Sequence, residues 1–310
     1  MTTLVQVENL SKTFRQGFFM RRVEALKGVT FRVDQGEIFG FLGPNGAGKT
    51  TTIKMLTGLI RATSGRATVF GHEVPSPAAM RDVGFLPENP YVYPYLTPRE
   101  FVEMCGRLSG LSAKGARARA ETCLGRTGVL YAADRPVRRL SKGMLQRTGL
   151  AAALVADPQM LLLDEPMSGL DPVGRKEVRD LILEERANGR TIFFSTHILS
   201  DVETLCDRVV ILRRGEVVVS GAMRELLRGD VRRTDISLAG VDDNLEASLR
   251  ARGLTTKRTG DHMHIEIEGD AHVSDVLRSV LDGGARVVEV ATRRETLEDL
   301  FMRRAIAEGD

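Results

Sequence analysis

No tryptophan occurs in this chain of 310 residues, and aromatic residues make up only 5% of it. The three cysteines, Cys105, Cys123 and Cys206, are too few and too scattered for a disulfide framework or a cysteine-based metal site. No apolar run approaches the roughly 18 residues that a membrane span needs. The longest, residues 149–156, is far shorter. The chain does not open on a basic stretch followed by an apolar core, so no secretory leader is expected. An excess of one charge is also missing, with 44 Lys plus Arg against 41 Asp plus Glu and no block of five or six like charges. These absences argue against a stapled secreted domain, an integral membrane protein and a basic nucleic-acid groove. A soluble protein of a reducing compartment is the starting expectation.

What is present is ordinary globular composition, 42% hydrophobic and 27% charged, at a length that suits two domains. The near-neutral charge is unevenly spread: residues 231–310 hold 12 basic and 16 acidic side chains, leaving 32 and 25 for residues 1–230. Short β-branched runs alternate with helical stretches through residues 1–220, predicting an α/β fold around a largely buried central sheet. Strands are expected at 4–7, 29–33, 37–42, 66–70, 83–86, 160–164, 191–195, 208–212 and 217–220. Between Thr97 and Ala156 the β signal vanishes, and helices at 99–108, 113–126 and 144–156 predict an inserted helical subdomain. The pattern restarts after Asp230 as a small α+β unit, with strands at 235–238, 262–268 and 286–291 and helices at 242–251, 271–281 and 297–305. Two domains follow, 1–230 and 231–310.

The strongest chemical signal is Gly43-Pro44-Asn45-Gly46-Ala47-Gly48-Lys49-Thr50, which fits GxxxxGK[ST] between a predicted strand and a helix that opens at Thr51. Glycines let successive N–H groups wrap phosphate oxygens, and the helix N-terminus adds positive potential. Lys49 suits the β- and γ-phosphates of ATP, and the Thr50 hydroxyl suits Mg²⁺. A second signal, Met160-Leu-Leu-Leu-Asp164-Glu165, delivers two carboxylates to the end of a buried strand. Asp164 suits a water-mediated Mg²⁺ ligand, and Glu165 suits a general base for attacking water. A solvated turn is the alternative for this pair.

The segment Leu140-Ser141-Lys142-Gly143-Met144-Leu145-Gln146-Arg147 resembles the signature motif of ABC ATPases. Ser168-Gly169-Leu170-Asp171 resembles their D-loop, and Ser195-Thr196-His197 their switch histidine. The motifs stand in family order, and the resemblance covers about residues 3–228. It implies a P-loop nucleotide-binding domain, with ATP and Mg²⁺ as cofactors, that works as a head-to-tail dimer with a second copy or a similar subunit. Ser141 and Gly143 would then contact the γ-phosphate held by the opposite subunit, and Asp171 would couple the two sites. His197 would bond the γ-phosphate and help hold the attacking water. Phe14 matches the aromatic that stacks on adenine, with Phe18 and Phe19 as alternatives. Glu88 takes the place of the family's Q-loop glutamine and would ligate Mg²⁺. Lys142 stands where a second small residue is usual, and either points to solvent or adds charge near phosphate.

The Lys-Gly-Met signature, with Leu86-Pro87-Glu88 and Asp171-Pro172, looks most like ATP-binding subunits of exporters whose permease is a separate chain. The resemblance thus implies a motor on the inner face of the cell membrane, bound to an integral membrane permease and not to nucleic acid. The tyrosines of the segment 90–98 would form the groove for that permease, or pack on their own subdomain. Two other readings stay open: an import motor with a sensing tail, and an ABC ATPase serving the ribosome or nucleic acid. In the tail, His262 and His264 share one face of a predicted strand and, with His272, form a weak metal candidate. Dimer contact or regulation suits the tail better.

Overall fold

The computed structural model describes residues 2–16, 21–227, 231–269, 272–294 and 296–300. They fall into two compact units, Met1–Met223 and Arg224–Asp310. Strands of the first unit are β1 (Thr3–Gln16), β2 (Arg21–Asp34), β3 (Ile38–Leu42), β4 (Ser64–Val69), β5 (His72–Glu73), β6 (Val83–Leu86), β7 (Met160–Asp164), β8 (Thr191–Thr196), β9 (Arg208–Arg213) and β10 (Glu216–Ala222). Its helices are α1 (Lys49–Leu56), α2 (Pro77–Met80), α3 (Pro98–Leu108), α4 (Ala113–Arg126), α5 (Lys142–Leu154), α6 (Pro172–Ala187) and α7 (Leu199–Leu205).

The main sheet runs β10-β9-β3-β8-β7-β6, parallel from β6 to β9 with β10 antiparallel at the edge. Every residue of β3, β7 and β8 is buried, which is why β3 and the first four residues of β7 read as continuous apolar runs. A second, antiparallel sheet runs β2-β1-β4-β5, so one central sheet is too simple a picture. The core includes Phe31 of β2, whose ring lies 5.5 Å from that of Phe39 and 6.0 Å from that of Phe193. The β1–β2 hairpin extends well past the apolar stretches that predicted it. Its outer part is rich in polar residues such as Lys12, Thr13, Arg22 and Glu24, which leave no regular apolar alternation around the Phe14–Val23 pair. Phe18 and Phe19 lie outside the described residues.

Helices α3, α4 and α5 come between β6 and β7 in the chain. Thr97 and Glu100 close a capping box on α3, with Pro98 at its first position. The Ser141 side chain accepts from the Met144 N–H, so α5 begins two residues before the expected start.

Helix α8 (Met223–Leu226) straddles the division, and the second unit then runs β11 (Val231–Ala239), α9 (Asp243–Ala251), β12 (Thr255–Thr259), β13 (His262–Glu268), α10 (Val273–Asp282) and β14 (Arg286–Arg294). The sheet order β12-β13-β11-β14, all antiparallel, is the ferredoxin-like split β-α-β arrangement. Ile236, Leu238, Met263, Ile265 and Ile267 share a core with Leu245 and Leu249 of α9 and Val276 and Val280 of α10. Strand β12, Thr-Thr-Lys-Arg-Thr, escapes sequence reading because it holds no apolar residue and is largely exposed. The last expected helix is helical over 297–300, and its remainder, with Phe301, lies outside the described residues.

Candidate functional site

Strand β3 ends at Leu42 and feeds the turn 43–48, which hands over to α1. Gly46 and Gly48 hold φ of 82° and 110°, the left-handed region that glycine tolerates. A Cβ at Gly48 would sit 2.7 Å from the Ala25 carbonyl oxygen, and one at Gly43 2.5 Å from that of Leu212. No side chain caps the start of α1, which leaves its first amides to a ligand. We expect Gly48→Ala to destabilise the first unit by about 1–3 kcal/mol and to abolish ATP binding, checked by thermal unfolding and nucleotide titration.

Lys49, the first residue of α1, points its ammonium back over this loop. It donates to the Gly43 carbonyl at 2.7 Å and pairs with Glu165 Oε1 at 3.2 Å. The other carboxylate oxygen of Glu165 meets His197 Nδ1 at 3.0 Å. Glu165 is buried and follows β7 with φ 50°, a left-handed backbone that a non-glycine residue adopts at a cost of about 1–3 kcal/mol. Two neighbours hold it there. Its N–H donates to Ser195 Oγ at 3.0 Å, and Gln146 donates to the carbonyl of Pro166 at 3.2 Å, just beyond it.

Ser195 in turn donates to Asp164 Oδ1 at 2.5 Å. Burial pushes the Asp164 carboxyl above its ordinary range, while hydrogen bonds from Ser195 and Thr50 pull the other way. Thr50 and Asp164 thus bring a hydroxyl and a carboxylate together, hard oxygen donors that suit Mg²⁺.

Beside these groups lies a cavity of about 460 Å³, ample for a nucleotide. Of the residues singled out in the sequence, Phe14, Asn45, Gly46, Gly48, Lys49, Thr50 and Thr51 line it. So do Glu88, Glu165 and His197. The Lys12 ammonium lies 5.1 Å from the centre of the Phe14 ring. Pro44 and Ala47 shape the turn itself, through an Ala47 N–H to Pro44 carbonyl bond of 3.1 Å.

Ser141, Gly143 and Asp171 stand outside this lining, at the starts of α5 and α6. Asp171 accepts from the Gly174 N–H at 2.8 Å and caps α6. The two helix starts pack on each other: a Cβ at Gly143 would lie 3.1 Å from Leu170, and one at Gly169 2.7 Å from the Lys142 stem. Lys142 therefore lies along the 168–171 turn.

Ser195 and Gln146 join the site through contacts that residue order alone does not reveal, although both lie within its motifs. A serine in the buried run Ile192–Thr196 was the available signal. In the tail, His262 and His264 are exposed on one face, and His264 Nδ1 bonds Ser237 Oγ at 2.9 Å. Among the described residues no group of three His, Cys, Asp or Glu could hold a metal. No helix among them is long and apolar enough to cross a membrane.

The sequence profile of the ABC transporter family matches residues 26–168. An ABC transporter ATP-binding protein of Synechocystis sp., sll0415, is 41% identical over 310 residues, covering 99% of this chain and 86% of the relative. Nod factor export ATP-binding protein I of Burkholderia lata is 38% identical over 287 residues, covering 90% and 91%. Among solved structures, the dimeric post-hydrolysis state of the ATP-binding cassette MJ0796, bound to ADP and Pi, superposes with a TM-score of 0.66 at 26% identity. It covers 71% of this chain and 99% of that one.

Proposed function

This chain belongs to the family of ABC transporter ATP-binding proteins, and we propose that it is the ATP-hydrolysing motor of an exporter whose permease is a separate chain. The observation that carries this reading is the meeting of Lys49, Glu165 and His197 in one cavity, at 3.2 Å and 3.0 Å. The amides of residues 43–50 and Lys49 bind the phosphates of ATP. Thr50 and Asp164, with Glu88, would hold Mg²⁺, which supplies charge neutralisation at those phosphates when bound. Glu165 accepts a proton from the water that attacks the γ-phosphorus, and His197 orients the Glu165 carboxylate through Nδ1. Phe14 offers its ring to the base.

Two copies pair head to tail, with Ser141 and Gly143 of one reaching the phosphates bound by the other. ATP binding closes the pair and hydrolysis reopens it. Residues 231–310 serve as an accessory domain for dimer contact or regulation. The export direction rests on relatives such as the Nod factor export protein. The motor sits on the cytoplasmic face of the membrane through its permease.

Support for the permease comes from the segment after Glu88. Tyr91 and Tyr95 are 85% and 81% exposed, and the Arg138 guanidinium lies 5.7 Å from the Tyr95 ring. Tyr91 also lines a groove of about 260 Å³ together with Phe101 and the small residues Gly149, Ala152 and Ala153. An exposed tyrosine on a groove of mostly apolar residues, with a tyrosine–arginine pair at the other end of the same segment, has the composition of a protein interface. Capture of the tagged chain from detergent-solubilised native membranes should recover a polytopic membrane protein. Ribosomes or nucleic acid without one would overturn the transport reading. Tyr91→Ala with Tyr95→Ala should weaken that capture roughly 10-fold while leaving ATP binding unchanged.

A further inference from the structure

Asp201, in the first turn of α7, is fully buried, yet it touches neither the nucleotide cavity nor any catalytic group. Arg175 of α6 donates to its Oδ2 at 2.8 Å, and Arg179 stands 3.6 Å from its Oδ1, which has no hydrogen bond. Burying a carboxylate with two half-buried arginines is an expensive way to pack helices, and apolar residues of similar size often do as well or better. The placement of the pair suggests why it is there. Arg175 lies one helical turn after Asp171, which caps α6. Asp201 lies four residues after His197, which bonds Glu165.

The far end of α7 is fixed by other means. A Cβ at Gly40 of β3 would lie 2.6 Å from Cys206 Sγ and 3.2 Å from Val202, so α7 is seated hard on β3 from its middle to its end. The Asp207 N–H also donates to the Ile38 carbonyl at 2.9 Å. At the His197 end, β8 is anchored as far as Thr196, whose carbonyl accepts from the Gly43 N–H at 3.3 Å, and beyond it the Ile198 N–H donates to Thr196 Oγ1 at 3.1 Å. The charged contact at Asp201 ties the first turn of α7 to α6.

We propose that Asp201, gripped by Arg175 and Arg179, is a positioning residue that locks the His197 end of α7 to the Asp171 end of α6. A movement of the 168–171 turn then reaches His197, and through it the Glu165 carboxylate, within the same subunit. The catalytic part rests on the hydrolysis reading above; the geometric part does not.

The test uses the full chain and three variants: Asp201→Asn, Arg175→Leu, and the double Arg175→Leu with Asp201→Leu. Asp201→Asn should lower kcat for ATP roughly 10-fold or more with KM nearly unchanged. It should also shift the imidazole resonances of His197, one of only five histidines, in the NMR spectrum of the nucleotide-free chain. The double variant should recover most of the thermal stability, because the buried carboxylate is gone and the one cation that loses it, Arg179, is partly exposed to water, but neither kcat nor the native His197 resonance. Arg175→Leu, which leaves Arg179 to neutralise Asp201, guards against a failure of Asp201→Asn to fold and should show the same two effects. If the variants change only the melting temperature, or if the double variant restores turnover along with stability, Asp201 merely packs and the proposal is overturned. Should the wild-type chain hydrolyse no ATP in any setting, the hydrolysis reading fails. The His197 resonance still decides the strut: a shift supports it, and an unmoved signal removes it.

Discussion

Replacing Glu165 with Gln is expected to lower ATP turnover by roughly 10²-fold or more while ATP binding survives. The amide has nearly the shape of the carboxylate, so it can still accept from Lys49 and still face His197 Nδ1, contacts of 3.2 Å and 3.0 Å in the native chain. What disappears is the base. An amide oxygen has almost no proton affinity at neutral pH, so the attacking water must shed its proton unaided. The groups assigned to phosphate binding, the 43–50 amides and Lys49, are untouched. Removing the carboxylate also relieves the crowding of two neighbouring buried acids, Asp164 and Glu165, beside an incoming polyanion. The variant should therefore accumulate as an ATP-bound dimer. Phosphate release measured over hours, with sedimentation of the chain in the presence of ATP, checks both halves. Hydrolysis at the native rate would strip Glu165 of its role and leave nucleotide binding standing.

Most of this site could be read from residue order because its parts are local. Four apolar residues before Asp164 make a buried strand, and a strand end is where such a sheet presents polar side chains. The glycines of 43–48 announce a turn that needs positive φ, and two of them have it. What could not be read depends on register between distant strands. Asp164 pairs across β7 and β8 with Ser195, and only that alignment brings the serine hydroxyl to both Asp164 and the Glu165 N–H. The left-handed backbone of Glu165 was hidden for the same reason, since the partners that sustain it, Ser195 and Gln146, arrive from β8 and α5. Elsewhere two elements lack any apolar periodicity. The outer β1–β2 hairpin is rich in polar residues and β12 has no apolar residue of its own, so hydrophobic patterning gave no sign of either. The tail's remaining strands were legible because Met263, Ile265 and Ile267 alternate with exposed residues along β13.

Lys49→Ala should do two separable things. It removes the ammonium expected at the phosphates, which should weaken ATP binding by roughly 10²-fold, the worth of a charged hydrogen bond to a polyanion. It also leaves Glu165 buried without its cation, and breaking a buried ion pair from one side costs about 3 kcal/mol. In a unit of this size that loss lowers the melting temperature by about 6–12 °C. The Gly43 carbonyl loses its 2.7 Å donor at the same time, so the turn itself loosens. Combining Lys49→Ala with Glu165→Gln separates these effects, because the double variant leaves no unpaired charge at this position. Its melting temperature should recover most of the lost ground, a coupling of about 2 kcal/mol between the two sites. ATP binding should stay as weak as in Lys49→Ala alone, since restoring stability does not restore the cation. If stability and binding recovered together, Lys49 would act on nucleotide only by neutralising Glu165. If neither single variant lost stability, the 3.2 Å pair would contribute nothing to the fold in solution. Thermal unfolding and nucleotide titration on the four chains distinguish these outcomes.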